Sequence, residues 1–349
     1  MEKENFVLSE EYKKQRRIKA GYLLAFTVII FLLALLACFM GVTNVTPIRL
    51  FNTVFHQNFR NAEPLTKLEC SVLINIRLCR IVMAVITGAG LALCGVIMQS
   101  ITGNSMASPF TTGVSSAAGF GAAVGIVFFG NQSNTVILLA FLFSALCTIA
   151  VYGISFLKDF KANTLILMGV AINYLFSALN SCLQYFANEH QLESIVYWTF
   201  GSLTDVVWSQ VAVTAVVLAT SFLYFMLHAK DYNVLASSGD ESAKSLGINV
   251  KLLRGISGIT VALLAAVLVS FTGVIGFVRL VAPHIAKFIV GGEHRVLLPM
   301  SAFIGAALVL VGDTIGRTII NPVIIPVGVV VSLIGVPVFI YLIMRERRG

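Results

Sequence analysis

Seven charged side chains fall within residues 229–254, between two strongly apolar runs: Lys230, Asp231, Asp240, Glu241, Lys244, Lys251 and Arg254. Burying one such charge at a bilayer centre costs about 2.5–3.5 kcal/mol on insertion scales, so this stretch lies outside any membrane its flanks cross. Within it, Ser238-Gly239-Asp240 leads into 241–246 and then Gly247, the pattern of one short polar helix closed by glycine. That helix is either an ordinary solvated loop or a surface that another protein grips. The remaining reactive side chains form no catalytic kit. There is no G-x-x-x-x-G-K-[ST] to cradle nucleotide phosphates and no H-E-x-x-H. The histidines (56, 190, 228, 284 and 294) are scattered, and no G-x-S-x-G elbow is present. No catalytic residue, metal site or cofactor is therefore expected. Asp313 alone among the acids approaches membrane depth, and Arg317 follows at the four-residue spacing of a helical ion pair, which reads by default as an inert structural pair.

The elements that carry these groups are apolar helices. Hydrophobic residues make up 58% of the 349 and charged residues 11%, and the mean hydropathy is +0.91. This is the composition of an all-α integral membrane protein. The apolar runs are filled all round, as in lipid-embedded helices. Ten spans are expected, at 21–41, 81–101, 113–129, 135–157, 164–186, 206–228, 255–273, 274–291, 297–313 and 323–344. They make one transmembrane domain over 1–349, with no room for a separate soluble domain.

Lys and Arg set the orientation. With the N-terminus inside, the inner side collects 17 of them, and the outer side 7: Arg49, Arg60, Lys67, Arg77, Arg80, Arg279 and Arg317. Both termini are then cytoplasmic, as are the segments 1–20 and 229–254. The net charge of +8 reflects this bias and an affinity for anionic lipid, not nucleic-acid binding. The basic stretch before the first span reads as a signal anchor, since the apolar run is long enough to cross and continues past Cys38. None of the six cysteines forms a C-x-x-C pair, and Cys70 and Cys79 share the outer loop. Gly121-x-x-x-Gly125 and Gly312-x-x-x-Gly316 permit close helix approach. A polytopic bundle with neither a catalytic kit nor an acidic relay points to a translocation pathway powered by a partner.

Five stretches, in order, carry a family resemblance. They are Ile76-Arg77-Leu78-Cys79-Arg80 with Gly88-Ala89-Gly90-Leu91-Ala92, and Gly95-Val-Ile-Met-Gln99 with Asn104-Ser105-Met106-Ala107-Ser108-Pro109. Trp198-Thr-Phe-Gly201-Ser202 follows, then the polar island itself. Last come Gly273-Val-Ile-Gly276-Phe277-Val-Arg279 with Pro283-His284, and Glu293-His294-Arg295 with Pro299. In these the chain resembles the iron-siderophore and vitamin B12 permeases of type II ABC importers.

The resemblance implies two permease subunits, identical or paralogous, around a central pathway. It also implies a pair of cytoplasmic ATP-binding subunits docked on the island helix and an extracytoplasmic substrate-binding protein. By that likeness Gly239, Asp240, Glu241, Ala243, Leu246 and Gly247 are the ATPase-coupling residues. Arg77, Arg80 and Arg317 would meet acidic residues of the binding protein, although headgroup snorkelling also accounts for them. Asn104, Met106 and Asn163 would serve the inner gate. A ferric siderophore is the leading cargo, with haem and cobalamin next. An ion-coupled carrier, an intramembrane enzyme and a receptor are disfavoured. Cys79, Ser105, Arg279, Lys287 and Ile324 depart from the family pattern; the departures suit one half of a paralogous pair.

Overall fold

The structure is a computed structural model that describes residues 2–40, 46–55, 63–108, 112–320 and 323–346. Every regular element among them is a helix. In chain order these are α1 (Glu2–Phe39), α2 (Pro47–Phe55), α3 (Lys67–Ser71), a widened π-helical stretch Val72–Leu78, and α4 (Cys79–Thr102). Next come α5 (Val114–Phe129), α6 (Ser133–Leu157), α7 (Ala162–Phe186), α8 (Glu189–Thr199) and α9 (Trp208–Leu227). The last five are α10 (Ala229–Ser245), α11 (Val250–Thr272), α12 (Val278–Val290), α13 (His294–Thr318) and α14 (Val327–Glu346).

Each expected span contains a helix. Seven helical stretches are long and apolar enough to cross a bilayer, and α5 and the Val327–Leu342 part of α14 are shorter apolar helices. The exception is the eighth span. Its helix, α12, has 13 residues and is about 20 Å long, short of the roughly 30 Å hydrocarbon core. The expected start at 274 fails because Gly273 and Phe277 hold positive φ angles of 66° and 57°, which break the helix between α11 and α12.

The bundle is built around α4, which is buried along nearly its whole length and packs against α13, α11, α12 and α9. Small residues permit this. A Cβ on Gly88 would collide with the Gly305 backbone of α13, and one on Gly305 with Gly88. Gly95 lies under the Arg279 carbonyl. The two glycine pairs noted in the sequence also sit at interfaces: Gly121 and Gly125 face Leu139 and Val136 of α6, and Gly312 and Gly316 face Val331 and Ile325. Close packing of this kind replaces the hydrophobic drive that lipid removes.

Two of the motif segments and the start of α14 converge on the break before α12. The Ser202 N–H donates to the Thr272 carbonyl (2.8 Å), Val327 to Gly201 (3.1 Å) and Gly328 to Phe200 (3.1 Å). Irregular backbone inside a membrane survives only where protein satisfies it, and these bonds do so. Gly201 has a φ of 73°, and a side chain there would press on Val274.

Arg279 is corrected by this arrangement. Counted on the outer side, it is instead buried at 3% exposure. Its guanidinium reaches Ser115 Oγ (3.2 Å) in the first turn of α5. Its removal from the outer set only widens the charge bias. All six cysteines are free thiols; Cys79 is buried with its Sγ directed at the Val206 carbonyl (3.3 Å).

Candidate functional site

The polar island is more structured than its composition suggests. Only His228 separates α10 from α9, and α10 is broken at Gly239, whose φ of 75° and ψ of −176° divide it in two. The proximal half is anchored in the bundle. Ala229, Tyr232 and Leu235 are buried, and Tyr232 Oη lies 2.6 Å from Ser257 Oγ on α11. Asn233 Oδ1 accepts from the backbone N–H of His294 (2.8 Å) and lies 2.7 Å from its Nδ1. The distal half, 240–245, is closed by the paired bonds of a glycine stop: Gly247 N–H to Lys244 C=O and Ile248 N–H to Ala243 C=O, both 3.0 Å. Glu241, Lys244, Ser245, Leu246 and Gly247 are exposed, and Leu246 is 69% exposed despite being apolar.

Two of the expected coupling residues are engaged by the bundle, one buried in it and one exposed but bonded to it. Ala243 is fully buried in the main core, so it holds the short helix down and presents nothing to a partner. Asp240 turns its carboxylate toward α11, where both oxygens accept from Arg254 (2.7 and 2.9 Å). The guanidinium holds the Asp240 carboxyl below the usual aspartate range, through hydrogen bonding first.

Arg254 is buried at 4% exposure and its other donors are also used. Nε donates to the Ile101 carbonyl (2.5 Å) in the last turn of α4, and Nη1 to the Phe160 carbonyl (3.1 Å) in the α6–α7 turn. Each carbonyl lies three residues before a residue assigned to the inner gate. Asn104 follows Ile101, and its Oδ1 accepts from the Met106 N–H (2.9 Å), leaving Met106 exposed. Asn163 follows Phe160 and is exposed in the first turn of α7. The sequence alone marks Arg254 only as an inner-side charge.

At the outer end the three arginines assigned to docking do come together, but they point inward. Arg77 and Arg80 are 6% and 7% exposed. Arg80 pairs with Asp313 (2.7 Å) and reaches Thr204 Oγ1 (3.4 Å). Arg317 lies 3.7 Å from the other Asp313 oxygen and donates to the Ala37 carbonyl (2.5 Å). Arg77 donates to the Cys38 carbonyl (2.9 Å). Two cations thus cap the C-terminal carbonyls of α1, where the helix dipole favours them. Asp313 is fully buried and its nearer partner is Arg80, so the expected local pair with Arg317 is a three-residue cluster. A display of separated positive points on the surface is not what this geometry provides. Of the outer cations that the structure describes, only Lys67 is exposed; the exposed acids there are Glu63, Glu189, Glu193 and Asp205.

A polar face of α7 belongs to none of the motifs. Asn173, Ser177, Asn180 and Gln184 recur at steps of four, three and four, which places them in one stripe. No charged residue occurs anywhere in α7, and only Leu165 and Gly169 are buried. Ser116 of α5 donates to Asn173 Oδ1. The 4-3-4 polar spacing is the signal in the sequence that marks this face. Beyond the outer end of α7, a cavity of about 450 Å³ is lined by Asn131, Glu193, Tyr197, Ser202, Asp205 and Gln210, among others. Among the described residues no three His, Cys, Asp or Glu side chains gather so as to hold a metal ion.

Comparison with known proteins places this architecture. The family model described as the FecCD transport family matches residues 27–345. The chain is 33% identical over 340 residues to the hemin transport system permease of Yersinia pestis, covering 95% of this chain and 97% of that one. It is 31% identical over 316 residues to the iron(3+)-hydroxamate import permease of Bacillus subtilis, covering 88% and 92%. Among solved structures, an inward-facing metal-chelate type ABC transporter aligns with a TM-score of 0.83 at 30% identity, over 93% of this chain and 99% of that one. The chain belongs to the FecCD transport family: it is a multi-pass, non-enzymatic permease subunit of an ABC importer in a prokaryotic cell membrane.

Proposed function

We propose that this subunit forms half of the pathway for a ferric siderophore, driven by a separate pair of ATP-binding subunits that grip α10 from the cytoplasm. The observation that carries the coupling is the distal half of α10. It is polar, exposes Leu246 and is tied through Asp240 to a residue that bonds the inner ends of α4 and α6. Closing the ATPases around ATP moves what they grip, and a short rigid helix passes that movement on as a rigid-body shift.

On the α7 stripe Ser177 is exposed while Asn173, Asn180 and Gln184 are half-buried. Polar side chains on a spanning helix need water or a polar partner, which Ser116 supplies for Asn173 and a water-filled pathway would supply for the rest. A second permease, paralogous by the departures at Cys79, Arg279 and Ile324, would supply the facing half. A substrate-binding protein would dock over the outer ends. Cargo charge follows from electrostatics. The α7 stripe offers amides and hydroxyls without a cation, and the described outer rim is acidic, which repels polyanions. A chelate with little or no negative charge fits this lining best. Haem is the second reading, favoured by the near full-length match to a hemin permease; cobalamin is the third.

The test is reconstitution of the transporter with its ATPase and binding protein in proteoliposomes. ATP-dependent uptake of iron supplied as a neutral trihydroxamate should exceed uptake supplied as haemin or as a tris-catecholate. Preference for either anionic chelate overturns the cargo reading. Failure of any ATPase to co-purify overturns the coupling reading.

A further inference from the structure

We propose that Arg254 is the relay residue through which displacement of the gripped helix, 240–245, reaches the two inner turns that carry the gate residues. This rests on the ATPase-coupling reading above. The distal half of α10 is a separable unit, since positive-φ glycines bracket it: Gly239 at 75° and Gly247 at 81°, each with open space around it. The proximal half cannot follow its motion freely, being fastened to Ser257 and His294. Among the described contacts of the distal unit, the polar link into the bundle is the bidentate Asp240–Arg254 pair.

Guanidinium geometry then matters. Its N–H groups lie in one plane at fixed angles, so the positions of its three partners are set relative to one another. Here those partners are the Ile101 carbonyl, the Phe160 carbonyl and the Asp240 carboxylate. A shift of Asp240 that keeps its paired bonds turns or pulls the plane and displaces both carbonyls together. Lysine carries the same charge but cannot hold three directions in one plane.

The turn on which Arg254 acts is already held in an uncommon conformation. Asp159 and Phe160 both have positive φ, 55° and 49°. Such residues persist only where the surroundings over-determine them. α11 supplies those surroundings: Lys251 Nζ pairs with Asp159 (2.9 Å) and sits 4.7 Å from the centre of the Phe156 ring, while the Phe160 ring lies over Gly255. The first turns of α11 therefore clamp the α6–α7 turn from several sides. α7, with its polar stripe, begins immediately after it.

The experiment uses the complete transporter in nanodiscs, with its ATPase, second permease and binding protein. A cysteine placed at exposed Ser105 reports the gate turn, through labelling by an impermeant maleimide with and without trapped nucleotide. The peptide carrying position 105 is quantified by mass spectrometry, which separates it from the native cysteines. In the Arg254→Lys variant the ATPase should still co-purify. The nucleotide-dependent change in Ser105→Cys labelling should disappear, and stimulation of hydrolysis by loaded binding protein should fall about tenfold, within the roughly 5–150-fold span of coupling between sites. Asp240→Asn should show the same two losses. If Arg254→Lys and Asp240→Asn both keep the labelling change and the stimulation, the relay is overturned and Arg254 only packs the fold. If the unsubstituted chain binds no ATPase, the coupling reading fails first, and the relay fails with it.

Discussion

The inner and outer ends of this subunit use the same device for different ends. In each, arginine binds main-chain carbonyls at or beside helix termini, and a carboxylate completes the cluster. At the outer end that carboxylate is Asp313, fully buried in a spanning helix between Arg80 and Arg317. At the inner end it is Asp240, 47% exposed on a short helix outside the bundle, against an Arg254 that is itself buried. A charge buried on both sides fixes helices in register. A charge half in water can move with whatever holds its helix. The contrast separates a staple from a linkage, although both appear in sequence only as an acid and a base.

The largest expected effect comes from breaking the staple. Asp313→Asn leaves Arg80 and Arg317 close together without their counter-anion, and removing one partner of a buried pair costs about 3–5 kcal/mol. The variant should lose most of its folded yield, read as the monodisperse peak in detergent and its midpoint of thermal unfolding. The compensated variant Arg80→Met with Asp313→Leu should recover part of that loss, since apolar replacement of a whole pair is often neutral. If Asp313→Asn is as stable as the parent, the outer cluster is not a staple.

Much of the fold is legible in the sequence because lipid imposes a coarse rule on it. Each of the ten apolar runs contains a helix, and the island stays apart from them. What K/R counting reads is the side of the membrane, not depth or partner. It therefore counts Arg279 as outside, whereas a helix break at Gly273–Phe277 starts α12 within the bundle. Likewise Arg77 and Arg317 look like surface charges in the sequence, because their acceptors, the carbonyls of Cys38 and Ala37, carry no side-chain signature; Arg80 does so because its partners, Asp313 and Thr204, are distant in the chain. Arg254 is hidden for the first of these reasons: two of its three partners are backbone atoms. α8 lies outside the ten apolar runs, yet Asn188 and Gln191 form its capping box, a signal that sequence does carry.

A single outer cation sharpens the comparison. Arg77 caps the Cys38 carbonyl, and a charged hydrogen bond contributes about 1.5–3 kcal/mol. Arg77→Ala should lower the unfolding midpoint by less than Asp313→Asn while leaving ATPase co-purification unchanged. Loss of the ATPase in this variant would mean that the outer cluster also takes part in coupling.

On the partner-facing side the expectation reverses. Glu241→Lys with Leu246→Asp alters exposed positions and should not change the unfolding midpoint of the isolated subunit. Loss of an interface hot spot costs about 2 kcal/mol or more, so with both positions altered the ATPase should be retained at a small fraction of its normal amount in pull-down. Full retention would move the grip away from the distal half of α10.

The smallest effect tests the linkage through pH. The Arg254 guanidinium depresses the Asp240 carboxyl, so the pair's stabilisation is fully present above the ordinary aspartate value of about 4. It is lost as pH falls through the depressed folded-state value. Because the carboxylate is half exposed, screening limits the contribution to at most about 1 kcal/mol. Thermal unfolding of the parent and of Asp240→Asn should therefore differ by a small, constant amount from about pH 8 down to about pH 5. The gap should close in more acidic solution, where the parent alone loses its carboxylate. High salt should narrow it at neutral pH as well, since an exposed ion is screened within about 10 Å at 0.1 M. A gap that ignores salt and persists in acid would mean that Asp240 is held by something other than its charge, and that the inner contact is a staple like the outer one.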